Sequence, residues 1–316
     1  MKKFTLVDAT TVAGAVTALG APKAAVLAGG TDLIVRMKDF VSPTLPDTLV
    51  DIKNISGLDY IKEEGGVLKI GATTKLATVY NSTIVQGNYS ALAEAAHRVG
   101  TPELRNMGTI GGNICQEVWC WYYRGFMNQF YCLRKGGALC LAMAGDNRYH
   151  SILGYTLCPS VCPSDTAVAL GALNATVVTN LRSIPVLDFF KELKHDLAAN
   201  EIVTEIQVPT PKAGTKQVFQ KFAMRKSFDF ALTSVAAAVT IVGGSVTDAR
   251  IVLGAVAPVP YRATAAEDAI KGKALDDTAA GAAGIAAVKD AKPLSKNLYK
   301  VQIAKTLVKR ALLAVK

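Results

Sequence analysis

The sequence predicts an α+β fold in two domains. Its 316 residues, half of them apolar, are enough for two buried cores. Segments typical of strands and of helices are mixed along the chain without an internal repeat. The pair Pro209-Thr210-Pro211 follows a predicted strand and marks the best candidate boundary. We therefore predict a first domain over residues 1–210 and a second over 211–316.

The first domain is predicted to consist of two parts. Residues 7–56 indicate a small α/β unit, in which a strand at Ala25–Leu27 runs into a tight Gly29-Gly30 turn. A hairpin follows around Glu64-Gly65-Gly66, with strands at Leu58–Ile61 and Val67–Ile70. The next predicted elements are helices at Leu76–Asn81 and Ser90–Val99, a glycine-rich turn at Gly108–Asn113, a helix at Asp165–Leu173, and strands at Ala175–Thr179 and Ile202–Val208.

The second domain is predicted to hold three further strands and three helices. The net charge of +10 arises largely in its last segment, where eight basic residues and one acid follow residue 288. Apolar residues recur there at helical spacing, so a solvated basic face on a packed helix is favoured over a nucleic-acid site. No run of about 20 apolar residues predicts a membrane span. No signal peptide is evident, and we expect a cytoplasmic protein.

Two glycine turns are candidate ligand loops. Gly29-Gly30-Thr31-Asp32 and Gly111-Gly112-Asn113 each follow apolar residues, and adjacent glycines let backbone N–H groups approach a phosphate. Neither turn matches the G-x-G-x-x-G or P-loop pattern, so a plain turn remains the alternative for each of them.

All six cysteines lie within 48 residues, from Cys115 to Cys162, and this clustering favours a metal site over scattered buried thiols. Their spacing lacks the C-x2-C pairs of zinc ribbons and the ferredoxin run, so zinc, an iron–sulfur cluster and free thiols all stay open. His150 is interpreted as a surface residue rather than a ligand. Aromatic residues between the cysteines indicate a small core under a long loop, or a shield around a redox centre.

Seven segments of the chain carry a familiar pattern, at residues 27–33, 68–74, 105–113, 164–165, 201–206, 221–225 and 299–312. Together they resemble the FAD-binding medium subunit of the molybdenum hydroxylases, the xanthine dehydrogenase/CO dehydrogenase family. The resemblance runs in order along nearly the whole chain. It implies a vanillyl-alcohol-oxidase-type (PCMH-type) FAD-binding domain of two subdomains, then a C-terminal α/β domain of the CO dehydrogenase flavoprotein type.

The resemblance also implies which residues bind FAD. The loop Ala28–Leu33, with Leu27 before it, would hold the pyrophosphate through backbone N–H groups. Thr109 and Gly111–Asn113 would form a second wall near the phosphates and the flavin, and Ser164, Asp165 and Lys221 would complete the site. The full set is Leu27, Ala28, Gly29, Gly30, Thr31, Asp32, Leu33, Thr109, Gly111, Gly112, Asn113, Ser164, Asp165 and Lys221.

The chain departs from ordinary members by 50 residues, 114–163, between Asn113 and Ser164. This insert resembles that of the 4-hydroxybenzoyl-CoA reductase β subunit, which carries a [4Fe-4S] cluster. The ligands that this resemblance implies are Cys120, Cys132, Cys140 and Cys158, and Cys115 and Cys162 would be free thiols. The fourth ligand is the least determined, since Cys162 is the alternative to Cys158.

The implied function is electron transfer within a hetero-oligomer, not a complete enzyme. A large subunit would hold molybdopterin, a small one [2Fe-2S] clusters, and ferredoxin or NAD would be the external carrier. Three alternatives remain: a xanthine dehydrogenase-type FAD subunit whose insert binds structural zinc, a stand-alone FAD oxidoreductase of the same fold, and a basic nucleic-acid binder.

Overall fold

The structure, a computed structural model, describes residues 1–316 and contains twelve strands and twelve α-helices in a mixed α+β arrangement. The strands are β1 Thr5–Asp8, β2 Ala24–Leu27, β3 Thr48–Asp51, β4 Ile61–Glu64, β5 Val67–Gly71, β6 Thr176–Thr179, β7 Ser183–Pro185, β8 Val203–Pro209, β9 Thr215–Phe222, β10 Thr233–Val242, β11 Ser245–Gly254 and β12 Tyr261–Arg262. The helices are α1 Val12–Ala18, α2 Leu33–Lys38, α3 Leu76–Asn81, α4 Thr83–Asn88, α5 Ser90–His97, α6 Pro102–Met107, α7 Ile110–Ile114, α8 Asp165–Ala172, α9 Val186–Phe189, α10 Thr264–Ile270, α11 Asp277–Ala287 and α12 Tyr299–Ala314.

The first subdomain is built on a three-stranded parallel sheet in the order β1-β3-β2. The central strand β3 is buried, and helix α1 is capped by the Thr11 side chain, which accepts a hydrogen bond from the Gly14 N–H. The strand β1 was not predicted, because this edge strand has mostly exposed residues and lacks the alternation that marks a half-buried strand.

The second subdomain is a five-stranded antiparallel sheet in the order β4-β5-β8-β6-β7. The predicted hairpin is present, and both turn residues, Gly65 and Gly66, have positive φ, which suits glycine. Its first strand begins at Ile61, so the predicted strand Leu58–Ile61 was placed too early. Helix α7 occupies most of the predicted turn Gly108–Asn113, because Thr109 caps it.

The second domain is a four-stranded antiparallel sheet in the order β12-β11-β10-β9. One face is covered by the C-terminal helices, which pack with Leu307, Val308 and Leu312 of α12 facing the sheet. The other face carries Ala236 and Val252 into the core of the first domain, against helix α8. None of the helices combines the length and the apolar composition that a bilayer crossing requires.

The insert, residues 114–163, is tied to the rest of the protein by hydrogen bonds. Trp119 and Val161 form an antiparallel bridge at its base, with N···O distances of 2.9 and 3.2 Å. Residues 147–152 are bonded to the segment before α12: the Asn297 side chain donates to the carbonyls of His150 and Ser151. The insert is therefore docked between the two domains.

A substitution at Gly254 tests the packing between the two domains. A Cβ at this position would overlap Ser234 Oγ and Val168 Cγ2, and Val168 belongs to α8 of the first domain. We expect Gly254→Ala to lower the free energy of unfolding by roughly 1–3 kcal/mol through overpacking. The matched control, Gly281→Ala, has open space in helix α11 and should be stabilising by about 0.5–1 kcal/mol. Denaturant midpoints of the two variants measure the difference.

Candidate functional site

The first glycine turn joins strand β2 to helix α2. Gly30 has φ +71°, a conformation that side chains rarely adopt, and Gly29 packs on Met107 and Gly108, just before the second glycine turn. A Cβ on Gly29 would overlap the Met107 carbonyl and Gly108 Cα. The two turns therefore approach each other so closely that only glycine fits between them.

The backbone of the first turn has free hydrogen-bond donors. None of the N–H groups from Ala28 through Asp32 donates a hydrogen bond within the protein. A run of unpaired backbone donors is a ready site for phosphate oxygens. The turn thus has the chemistry to hold the pyrophosphate of a dinucleotide.

Most backbone N–H groups of the second glycine turn already donate hydrogen bonds within the protein. The N–H groups of Ile110 and Gly111 bond to the carbonyls of Thr74 and Ala72, and that of Gly112 bonds to Thr109 Oγ1. Asn113 Oδ1 accepts from the hydroxyls of Ser164 (2.7 Å) and Thr166 (2.6 Å). This turn is a fixed wall rather than a source of backbone donors.

A cavity of about 940 Å³ lies between the two turns, within the range of cofactor sites. Most of the residues assigned to FAD by resemblance line it; Gly111 and Ser164 do not. Insert residues that sequence reasoning missed, Trp119, Arg124 and Tyr149, line it as well. The assigned residues on its wall are Leu27, Ala28, Gly29, Gly30, Thr31, Asp32, Leu33, Thr109, Gly112, Asn113, Asp165 and Lys221.

Asp165 and Lys221 form a buried ion pair on this wall. Their side chains are 5% and 4% exposed, and Lys221 Nζ lies 2.6 Å from Asp165 Oδ2. Burial raises the pKa of the Asp165 carboxyl, and the Lys221 ammonium opposes this shift. The pair joins helix α8 to strand β9, so the cavity wall spans both domains.

Asp32 connects the first glycine turn to the insert. Burial alone would raise the pKa of its carboxyl, but Arg124 and Arg36 lower it, at 2.7 and 3.0 Å. The same carboxylate accepts the backbone N–H of Glu117 at 3.1 Å, and Glu117 pairs with Arg134. One carboxylate therefore fixes both the turn and the start of the insert.

A second, much smaller cavity lies inside the insert. Cys120, Cys132, Cys140 and Cys158 all line it, and its interior of about 10 Å³ holds about one water molecule. Its walls include Tyr122, Tyr123, Leu133, Leu141 and Ala142. No three His, Cys, Asp or Glu side chains are gathered at the spacing of a single metal ion. The structure thus brings these four thiols to one cavity.

The remaining cysteines lie elsewhere: Cys115 lines the large cavity and Cys162 belongs to the core of the first domain. Burial raises the pKa of both thiols to about 12, and does the same for Cys120 in the small cavity. In the absence of a metal, these thiols are therefore protonated at neutral pH.

The prediction that His150 is a surface residue is wrong. His150 is 2% exposed, and its Nε2 lies 3.1 Å from Cys120 Sγ. Burial, with a contribution from the Lys300 ammonium, lowers the pKa of His150 to about 4. Lys300, which was predicted to lie on a solvated face, is also fully buried and donates to the carbonyls of Tyr149, His150 and Ala255.

Glu192, outside the insert, anchors the loop that carries Cys158. Its carboxylate accepts backbone N–H bonds from Thr156, Leu157 and Cys158 at 2.7–2.9 Å. The carbonyl of Glu192 accepts from Arg134, two residues after Cys132. No sequence motif signals Glu192, because its role depends on a fold contact more than 30 residues away.

Comparison with known proteins agrees with this geometry. The family described as "FAD binding domain in molybdopterin dehydrogenase" matches residues 2–211, and "CO dehydrogenase flavoprotein C-terminal domain" matches residues 218–315. The chain is 32% identical to the aldehyde oxidoreductase FAD-binding subunit PaoB of Escherichia coli K12, over 96% of each chain. It is 32% identical to the carbon monoxide dehydrogenase medium chain of Hydrogenophaga pseudoflava, over 92% of this chain and 88% of the relative.

A solved structure of carbon monoxide dehydrogenase from Hydrogenophaga pseudoflava shows the same fold, with a TM-score of 0.80 and 31% identity over 99% of this chain and 97% of that one. The fold predicted from the sequence is therefore confirmed. The chain belongs to the FAD-binding medium subunits of the molybdenum hydroxylase family, whose members are subunits of oxidoreductases.

Gly29 provides a test of the paired turns. We expect Gly29→Ala to weaken FAD binding about tenfold or more, ~1.4 kcal/mol, because its methyl group pushes the two turns apart. Flavin fluorescence titration of the flavin-depleted protein measures the dissociation constant. The control Gly87→Ala, with open space in helix α4, should bind FAD as the wild type does. Equal affinity for Gly29→Ala would show that the close approach is dispensable.

Proposed function

We propose that this chain is the FAD- and [4Fe-4S]-containing electron-transfer subunit of a molybdopterin-dependent oxidoreductase. In this proposal it relays electrons between an external carrier, ferredoxin or NAD, and partner subunits that hold [2Fe-2S] clusters and molybdenum. Bound FAD would supply one- or two-electron exchange, and a cluster would supply one-electron exchange. The two-domain division at residues 210/211 is part of the same proposal.

The observation that carries the proposal is the adjacency of the two cavities. Trp119 lines the large cavity and the next residue, Cys120, lines the small one. Tyr149 and His150 repeat this arrangement on the other side of the insert. At both places, therefore, consecutive residues of the insert face the two cavities.

The large cavity suits FAD through the residues that face it. The free N–H groups from Ala28 through Asp32 would hold the pyrophosphate, and the fixed wall at Thr109, Gly112 and Asn113 would support the flavin. The Asp165–Lys221 pair stiffens the side where the two domains meet. Gly111 and Ser164 would act indirectly, because they hold Asn113 and the wall in place.

The small cavity suits an iron–sulfur cluster through its donor chemistry. Four thiols line it, three of them buried and that of Cys140 partly exposed, and aromatic and aliphatic side chains form much of the remaining wall. Two buried atoms beside the thiols, Lys135 Nζ and His150 Nδ1, have no hydrogen-bond partner within the protein. An ammonium near the site complements the negative charge of a thiolate-bound cluster. Because the cavity is small, loading requires the surrounding loops to separate.

The partners follow from the family and from the insert. The cysteine-bearing insert of this chain is the feature that supports a likeness to the 4-hydroxybenzoyl-CoA reductase β subunit in particular. A large molybdopterin subunit and a small [2Fe-2S] subunit are the proposed partners. Purification of the native complex under anoxic conditions should yield all three chains with molybdenum, and an active, monodisperse monomer would contradict the subunit assignment.

Metal analysis of matched cysteine variants tests the insert. We expect the full-length wild-type chain, separated under anoxic conditions from the [2Fe-2S] partner, to hold one FAD and about four iron atoms, with an absorbance shoulder that dithionite bleaches. Cys132→Ala should lose most of the iron and the shoulder. Cys162→Ala, equally buried but outside the small cavity, should keep both.

The other outcomes separate the alternatives. Stoichiometric zinc without iron would replace the cluster by a structural zinc site. FAD with neither metal would leave the cysteines as part of a small core. Equal iron in the Cys132 and Cys162 variants would mean that the ligand assignment is wrong.

A further inference from the structure

His150 is placed to act on one of the four thiols. Its ring lines the small cavity, and Nε2 lies 3.1 Å from Cys120 Sγ. A thiolate has no proton to give, so the ring nitrogen that contacts it must be the one that carries hydrogen. The other ring nitrogen, Nδ1, is buried without a partner, and the only polar contact of the ring is with sulfur.

The C-terminal domain holds His150 in this position. The carbonyl of His150 accepts from Lys300 Nζ at 2.9 Å and from Asn297 Nδ2 at 3.1 Å, and its N–H donates to the carbonyl of Asn147. The ring also packs at an angle to Trp121, with centroids 6.0 Å apart. The backbone of His150 is thus fixed by hydrogen bonds that do not involve any cysteine side chain, and Trp121 packs against its ring.

We propose that His150 donates a hydrogen bond from Nε2 to the Cys120 sulfur of the bound cluster and thereby raises the reduction potential of that cluster. The inference rests on the proposed function, because it requires a cluster in the insert. A hydrogen bond to a ligating sulfur stabilises the reduced state, in which the sulfur carries more negative charge. His150 is a positioning residue, since it acts through Cys120.

The test compares two substitutions in the anoxically purified complex. His150→Leu removes the donor, and the midpoint potential of the cluster, measured by an EPR-monitored redox titration, should become more negative. His150→Gln can place an amide N–H near the same sulfur, and its potential should return towards that of the wild type. His97→Leu, at an exposed site outside both cavities, should leave the potential unchanged. Iron per chain is measured for each variant.

A measurement on the wild type keeps the inference testable if His150→Leu loses its cluster. Pulsed EPR of the reduced complex should show an exchangeable proton and a weakly coupled imidazole nitrogen. A strongly coupled nitrogen would make His150 an iron ligand and overturn the hydrogen-bond role, as would the absence of any such couplings. An unchanged potential in His150→Leu with full iron content would also overturn it. Absence of iron from the wild type would instead contradict the proposed function itself.

Discussion

The carboxylate of Asp32 is the constraint on which both cavities depend. It is held by Arg36 within its own helix and by Arg124 and the Glu117 N–H of the insert. With only 18% of its side chain exposed, this charge is stable because each oxygen has a charged or hydrogen-bonded partner. The turn that would hold the pyrophosphate and the first residues of the insert therefore cannot move independently. Apolar contacts, such as Val41 against Val118 and Tyr123, add to this attachment of the insert.

The two glycine turns have different roles in the structure although their sequences are similar. The first presents unpaired backbone N–H groups to the cavity, whereas the second uses its N–H groups to fix itself against residues 72–74. Gly29 lets them touch, and Gly111 lets the second turn pack on Ala72. Glycine serves ligand approach in one case and close packing in the other. A motif alone cannot separate these uses, because both need the missing Cβ.

Much of the fold was predictable, because its signals are local. The Gly65-Gly66 hairpin and the apolar spacing of α12 follow from turn chemistry and periodicity, and both are present. Likewise, the clustering of six cysteines in 48 residues pointed to one site, and the structure gathers four of them around a cavity. The role of these four as cluster ligands stays a prediction.

The residues that sequence reasoning missed act over long distances in the chain. Arg124, Glu192 and His150 gain their roles from partners on other elements, and no local pattern marks them. Lys300 is different, because it lies four residues before Ala304 on the apolar stripe of α12. Its position on that stripe was a signal of burial, but its charge favoured the solvated interpretation. Three backbone carbonyls satisfy its ammonium, which makes burial of this charge tolerable.

The bridge between Trp119 and Val161 brings the two ends of the insert together. The chain leaves the flavin domain and returns to it at neighbouring points, so the intervening segment is a closed loop. The entropy of closing a loop grows only slowly with its length, and the cost falls further when the ends are already pinned together. A segment of this kind can be gained or lost as a unit while the surrounding domain keeps its shape. Such an insert can therefore be added to a flavin-binding domain without a change in the order of the surrounding strands and helices.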